Sequence, residues 1–348
     1  MSVSGGEGRV SGAGAGISVS VLAVTFRDLP LLERALRVFK TEPSVEIVIA
    51  NNDPSQDVRS WAEEHAPGAR VVDMEFDSGY PNAMNAAIAA SRGEFVVLLD
   101  SDLFVSRSYV SEAVGFLAAH PEAGAAGGKL FRYDLEKDRE TPVLDTAGIR
   151  LGRNRRIMAR GEGELDQGQY DRAEPIFGVD GAGMVLRRSA LESVAIDGEY
   201  FDSSFVAHKE DADLCWRLRL AGWQIWYLPS AVGGHGRTTR GLGTRSYLAS
   251  ILDIYRNERA KRDSVRVHAM RNQWLMLTKN EDRQNLVRDL PLILGRESGV
   301  LLYNLILEPK TLLAVRQYLR LLRPTIRKRR IIRQRRRLPP AEMRSWIG

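Results

Sequence analysis

Glu94-Phe95-Val96-Val97-Leu98-Leu99 runs without a break into Asp100-Ser101-Asp102. Five consecutive apolar residues, entered from Gly93, predict a strand buried on both faces. Two carboxylates two positions apart at its end both reach forward from the strand terminus. They read either as solvated turn aspartates or as ligands of a hard divalent cation, which takes carboxylate and phosphate oxygens alike.

Toward the N-terminus the same grammar repeats. Ile17 to Thr25 predicts a buried strand, and Pro30 opens an apolar-periodic helix through Leu31, Leu32, Ala35, Leu36 and Phe39. Glu46 to Ala50 predicts a second strand, ending in Asn51-Asn52-Asp53-Pro54, then a helix over Val58 to His65 and a short strand over Arg70 to Met74. Asp77 to Pro81 forms a turn and Asn82 to Ser91 a small-residue helix. Three alternations of strand and helix with short joins predict an α/β, doubly wound parallel sheet. Ligands of such sheets sit at the carboxyl ends of the strands. Thr25, the Asn51–Asp53 cluster, Asp100 and Asp102 should therefore line one crevice.

Toward the C-terminus the alternation loosens. Residues 150 to 175 are polar and rich in Gly and Arg, as in a surface excursion. Phe177 to Arg187 has strand character, Lys209 to Ala221 predicts a helix, and Gln224 to Leu228 a last strand. Beyond residue 240 the chain reads as helical and increasingly basic. Glu210, Asp211 and Asp213 crowd the start of the predicted helix, where acids favour the helix dipole; alternatively one faces the crevice as a general base. His235 lies in Gly233-Gly234-His235-Gly236-Arg237, whose glycines permit close backbone approach. Gly79, Pro81, Asn82 and Asn85 read either as a turn and helix cap or as a loop over a diphosphate.

The 348 residues, 44% hydrophobic and 27% charged, suit a sizeable globular core. The net charge of +6 resides in the tail, because Arg323 to Arg337 holds eight arginines and Lys328 with no acid. The remainder is mildly acidic, which excludes a generally basic nucleic-acid surface and leaves a local basic segment suited to an anionic membrane. Residues 1 to 16 offer almost nothing to bury and read as disordered, without a secretory signal. Val300 to Leu307, interrupted by Asn304, is too short for a transmembrane span. The single cysteine, Cys215, excludes an internal disulfide and fits a reducing compartment.

Taken in order, the segments resemble family 2 glycosyltransferases of the GT-A type, and among them bacterial rhamnosyltransferase-like members. The carriers are Val24-Thr25-Phe26-Arg27, Asn51-Asn52-Asp53-Pro54-Ser55-Gln56-Asp57, Asp77-Ser78-Gly79 through Asn85, Gly93-Glu94 with Asp100-Ser101-Asp102, and Gly181-Ala182-Gly183 through Arg188. Glu210-Asp211-Ala212-Asp213-Leu214-Cys215-Trp216-Arg217, Gly222-Trp223 and His235 continue the series, with Arg256-Asn257 or Arg271-Asn272 as a downstream Arg-Asn pair. The likeness covers about residues 17 to 275.

The resemblance implies a GT-A catalytic domain over 17–240; outside it, the apolar clusters Leu301, Leu302, Leu305, Ile306 and Leu312, Leu313, Val315, Leu319, Leu322 beside the arginine run make 241–348 a helical, basic, amphipathic C-terminal region. It implies Mg²⁺ or Mn²⁺ on Asp100, Asp102 and His235. Thr25, Asn52, Asp53, Asn85, Asp100 and Asp102 would bind the donor, with Asn51, Asn52 or Asp53 at the nucleobase. Asp211, or its neighbour Glu210, would be the base of an inverting transfer. The implied donor is a dTDP- or UDP-sugar, with L-rhamnose foremost, and the acceptor a glycan or polyprenyl-linked glycan of a cell-surface polysaccharide. The expected location is cytoplasmic, peripheral on the inner membrane face. A sugar nucleotidyltransferase, or a non-catalytic binder acting through the arginine tail, are the alternative readings.

Overall fold

The computed structural model describes residues 18–40, 44–237 and 263–348. The expected disordered segment at 1–16, the 240/241 boundary and the Arg256-Asn257 pair lie outside these residues.

The N-terminal half is the alternation read from the sequence. It comprises β1 (Val19–Thr25), α1 (Leu29–Leu36), β2 (Val45–Asn51), α2 (Val58–His65), β3 (Arg70–Asp73), α3 (Tyr80–Ala90) and β4 (Phe95–Leu99). β1 pairs in parallel with β2, Val19 opposite Val45 through Thr25 opposite Asn51, and with β4, Val19 opposite Phe95. Both faces are covered: Val21, Ala23, Val97 and Leu99 enter one core, and Leu22, Val96 and Leu98 enter the other. This two-sided burial is why β4 reads as an unbroken apolar run.

Then follow β5 (Leu103–Val105), α4 (Arg107–Ala119), β6 (Ala123–Asp134), β7 (Arg139–Thr146), β8 (Ile149–Leu151), β9 (Ile157–Ala159), β10 (Glu174–Pro175), β11 (Val185–Arg187), α5 (Arg188–Val194), α6 (Glu210–Leu220) and β12 (Gln224–His235). The large sheet runs β10-β12-β6-β11-β4-β1-β2-β3, with β5 on β12 and β7 on β6. It is mixed: β11 lies antiparallel between β4 and β6, whereas β6 and β12 are parallel.

Two local readings are corrected. Strand structure within Phe177 to Arg187 is confined to Val185–Arg187, because the chain turns at Asp180-Gly181-Ala182 and Gly183 takes φ +78°. The last strand does not stop at Leu228. It bulges between Leu228 and Val232, around Pro229, which has no N–H to donate, and continues to His235.

The C-terminal region comprises α7 (Asp263–Asn280), α8 (Arg283–Leu307), α9 (Leu313–Arg335) and α10 (Pro340–Arg344). It shares a core with the sheet domain: Phe205, Ala212, Trp216 and Leu220 pack with Leu275, Met276, Ile332 and Met343. Buried ion pairs fasten the same seam. Lys279 reaches Asp213 at 2.9 Å and also Asp202, which Lys328 meets at 2.7 Å. Arg155, fully buried, joins Asp289 at 2.8 Å and Glu281.

Two further expectations change here. The arginine run is not a free tail, because Lys328 and Arg336 are engaged by Asp202 and Asp282, and Arg329 and Arg335 by backbone carbonyls. The region also contains a helix long and apolar enough, by length and composition, to cross a membrane. α8 has 25 residues, with a window of mean hydropathy 1.3. The short apolar stretch Val300 to Leu307 understated it, since the helix passes through Arg296, Glu297 and Asn304 without ending.

Candidate active site

The end of β4 delivers Asp100 and Asp102 to the crevice, and Asp28 aims the turn between them. Its carboxylate accepts from Thr25 Oγ1 at 2.6 Å and from the Ser101 hydroxyl. β5 then pairs antiparallel with the end of β12, Leu103 opposite His235, and the Gly236 N–H donates to the Asp102 carbonyl at 2.8 Å. This ladder carries His235 to Asp102. The glycines are needed for it: a Cβ on Gly234 would lie 2.5 Å from the Tyr133 ring.

Asp100, Asp102 and His235 each present a donor atom within 4.8 Å of the others. His235 Nε2 is 3.3 Å from Asp102 Oδ1, and Nδ1 is 2.9 Å from Asp145 Oδ2. Arg237 bonds Asp145 at 2.6 Å and Asp180 at 3.2 Å. Burial, with the fields of Asp102 and Asp180, raises Asp100 to about 7. Burial alone would lower His235, but hydrogen bonds to Asp102 and Asp145 raise it to about 10. A crowded carboxylate pair beside an imidazole fixed from behind by a carboxylate fits a divalent cation. The ion would replace the Nε2 proton and relieve the repulsion, and Asp145 supplies the outer-sphere partner that metal-bound histidines characteristically have. Two oxygen donors and one nitrogen suit Mn²⁺ or Mg²⁺.

Glu210 and Asp211 are the first residues of α6. The chain enters them through Val206, His208 and Lys209, all at positive φ between 62° and 70°. Such conformations are costly for non-glycine residues and persist only where neighbours enforce them. Asn272 does so, its amide donating to the carbonyls of Phe205, Ala207 and His208 at 2.7–2.9 Å, while Arg271 reaches those of Ser204 and Phe205. Arg271-Asn272 thus braces the loop that leads into α6. Asp211 accepts from the N–H groups of Ala212 at 2.7 Å and Gly181 at 3.3 Å. Burial raises both carboxyls, Glu210 the further; Asp211 and Asp100 raise Glu210, and Asp180 raises both. The charge of Asp100 therefore reaches Glu210, and that of Asp180 reaches Asp100, Glu210 and Asp211 alike.

The remaining candidates divide. Asp53 is buried, accepts from Ser55 and from Arg27 Nε at 2.7 Å, and is lowered to about 2 by these bonds. Asn52 ties Asp77 and Ser78, and Asn51 ties Asp73 and the Gln56 carbonyl. The Thr25 hydroxyl is committed to Asp28. Asn85 is committed too: it bonds the backbone of Tyr200 and Phe201 at 2.8–3.0 Å, bracing the segment before α6. Of the acids opening α6, Asp213 is turned away into the pair with Lys279.

Sequence reasoning missed Asp145, Asp180 and Arg237. Asp180 immediately precedes the quoted Gly181-Ala182-Gly183, and Arg237 closes the quoted Gly-rich run around His235. Asp145, at the end of β7, had no local signal.

Residues 20–194 match the model of the family described as Glycosyl transferase family 2, a span that includes Asp100 and Asp102 and ends before Glu210, Asp211 and His235. N-acetylglucosaminyl-diphospho-decaprenol L-rhamnosyltransferase of Mycobacterium tuberculosis is 28% identical over 253 residues, covering 66% of this chain and 80% of that protein. Poly-beta-1,6-N-acetyl-D-glucosamine synthase of Staphylococcus epidermidis is 25% identical over 192 residues, covering 55% of this chain and 42% of that protein. The crystal structure of GalNAc-T7 with UDP, GalNAc and Mn²⁺ superposes with a TM-score of 0.51 at 10% identity, over 76% of this chain and 48% of that one. It shares the fold, which is GT-A with added C-terminal helices.

Proposed function

The chain belongs to glycosyl transferase family 2 and is a glycosyltransferase, and from that premise we propose that it inverts the anomeric centre of a nucleoside-diphosphate sugar during transfer to a glycan or lipid-linked acceptor. Asp102, Asp100 and His235 would hold Mg²⁺ or Mn²⁺. Bound there, the ion neutralises charge developing on the departing nucleoside diphosphate. Asp145 keeps the proton of His235 on Nδ1, leaving Nε2 free to ligate. Asp211 takes the proton of the acceptor hydroxyl; Glu210, raised further, is the protonated partner of the pair and the fallback base. A single base acting in direct displacement gives inversion. Asp53 and Asn52 are assigned to the nucleoside end. The observation that carries this reading is geometric: Asp100, Asp102 and His235, far apart in the chain, bring donor atoms within 4.8 Å of one another, and Glu210 is buried near enough for the Asp100 charge to raise its carboxyl.

L-rhamnose from dTDP-rhamnose is the leading donor, and a polyprenyl-diphosphate glycan the leading acceptor, supported by the relative of that activity. The test is nucleoside diphosphate release from dTDP-rhamnose, UDP-glucose and UDP-N-acetylglucosamine, with Mn²⁺ or Mg²⁺ and with EDTA. Metal-dependent release from one donor is expected. Release from none, or exchange of pyrophosphate in its place, overturns the proposal.

The C-terminal helices support a peripheral position on an anionic cytoplasmic membrane face. On α9, Arg316, Arg320, Arg323 and Arg330 are exposed along one stripe, beside exposed Leu313, Leu319 and Ile326. α8 adds exposed Leu294, Leu302, Leu305 and Ile306. It is tied to the protein along its length, by Asp289 to Arg153 and Arg155 and by Glu297 to Trp274 Nε1 at 2.6 Å. Those ties favour lying in the interface over spanning it. Reversing the four arginines to glutamate should weaken binding to phosphatidylserine-containing vesicles on the order of a hundred-fold or more, at about 1 kcal/mol each. Sedimentation unchanged by the reversal contradicts it. Deleting residues 290–348 is the poorer test, because it strips the shared core.

A further inference from the structure

Two polar atoms in the crevice are buried and without a hydrogen-bond partner among the described residues: the Tyr80 hydroxyl and Glu210 Oε2. A buried polar group left unpaired costs roughly 1–3 kcal/mol, so a native structure that keeps one invites an explanation. Neither is remote from the chemistry. Tyr80 opens α3 immediately after Gly79, whose φ of +81° and missing Cβ let it press against the Val206 backbone; a Cβ there would meet the Val206 carbonyl oxygen at 2.4 Å. That approach sets the start of α3 against the strained loop leading to Glu210. The Tyr80 ring stands edge-on to Phe201, centroids 6.3 Å apart, which fixes its direction. The hydroxyl lies within the fields of Asp100 at one end of the crevice and of Glu210, Asp211 and Asp180 at the other. These fields and burial hold the phenol protonated, so it donates as well as accepts.

We propose that Tyr80 contacts the transferred sugar, its hydroxyl pairing with a sugar hydroxyl between the metal-ligand carboxylates and the base, with Glu210 Oε2 meeting another. A hydroxyl-bearing pyranose lying between the metal-ligand carboxylates and Asp211 supplies the donors and acceptors that the two orphaned atoms lack, whereas the nucleoside is assigned to the Asp53–Asn52 end. The assignment rests on the glycosyltransferase reading and makes Tyr80 a specificity-determining residue for the sugar, not for the nucleotide.

The test is Tyr80→Phe, which keeps the ring against Phe201 and removes one oxygen. The probes are UDP and dTDP, alone and as UDP-glucose, UDP-N-acetylglucosamine and dTDP-rhamnose, titrated with Mn²⁺ into the full chain. Affinity and kcat/KM for the preferred nucleotide sugar should fall about ten-fold, with the matching nucleoside diphosphate bound within about two-fold of wild type. The melting temperature should hold or rise, since no internal bond is lost. Equal loss for nucleotide and nucleotide sugar, no loss for either, or a lowered melting temperature overturns the role of Tyr80 while leaving the function standing. A wild-type chain that binds none of the nucleotide sugars overturns both.

Discussion

Asp211→Asn should abolish most sugar transfer, by roughly 10²–10⁴-fold, while nucleotide-sugar and Mn²⁺ binding should stay within a few-fold of wild type. The substitution keeps the shape and the contacts with the Ala212 and Gly181 N–H groups near enough to fold, but an amide cannot take a proton. The pH profile identifies the group. A general base works only when deprotonated, and burial with the Asp180 field raises this carboxyl to about 6. Wild-type activity should therefore be lost as pH falls through about 6, well above the ordinary aspartate range near ~4. Residual turnover of the Asn variant should lack that limb. A variant retaining full turnover, or an unchanged acid limb, assigns the base elsewhere, with Glu210 next in line.

Asp102→Ala should be comparably severe by a different route. It removes one donor of a three-donor set and leaves His235 Nε2 without its partner at 3.3 Å. Loss of several kcal/mol of leaving-group stabilisation corresponds to about 10³-fold or more in turnover. Mn²⁺ affinity, read from the free-ion electron paramagnetic resonance signal, should fall together with activity. Asp211→Asn should leave that signal unchanged, so the two variants separate ion binding from base catalysis. Normal Mn²⁺ affinity in Asp102→Ala contradicts the metal assignment.

The parts of the site legible in the sequence are those written locally. A buried strand announces itself as an apolar run, and Asp100 and Asp102 follow it directly. Glu210 and Asp211 stand at a helix start, and His235 stands among glycines that only a close approach requires. The parts that were illegible depend on pairing between distant segments. Asp145 reaches His235 because β7 lies on β6 and β6 beside β12, a register no local pattern encodes. Three acids at the start of α6 looked alike, yet Asp213 points into the α7 seam and Asp211 toward the Gly181 N–H. Composition made the arginine run look like one solvated tail. Packing divides it into residues that clamp the core, such as Lys328 and Arg336, and residues that stay outside, such as Arg323 and Arg330. Asn85 shows the converse error, since its place in a motif suggested donor contact and its amide is taken up by the backbone of Tyr200 and Phe201.

The spatial relation on which all of this depends is directly observable in a crystal of the full chain with Mn²⁺ and an intact, non-transferable nucleotide-sugar analogue. The account predicts the ion on Asp102 and His235, the diphosphate on the ion, and the sugar lying between it and the Asp211 carboxylate, with the anomeric carbon open on the Asp211 side. An ion bound away from those ligands, or a sugar turned away from Asp211, contradicts it.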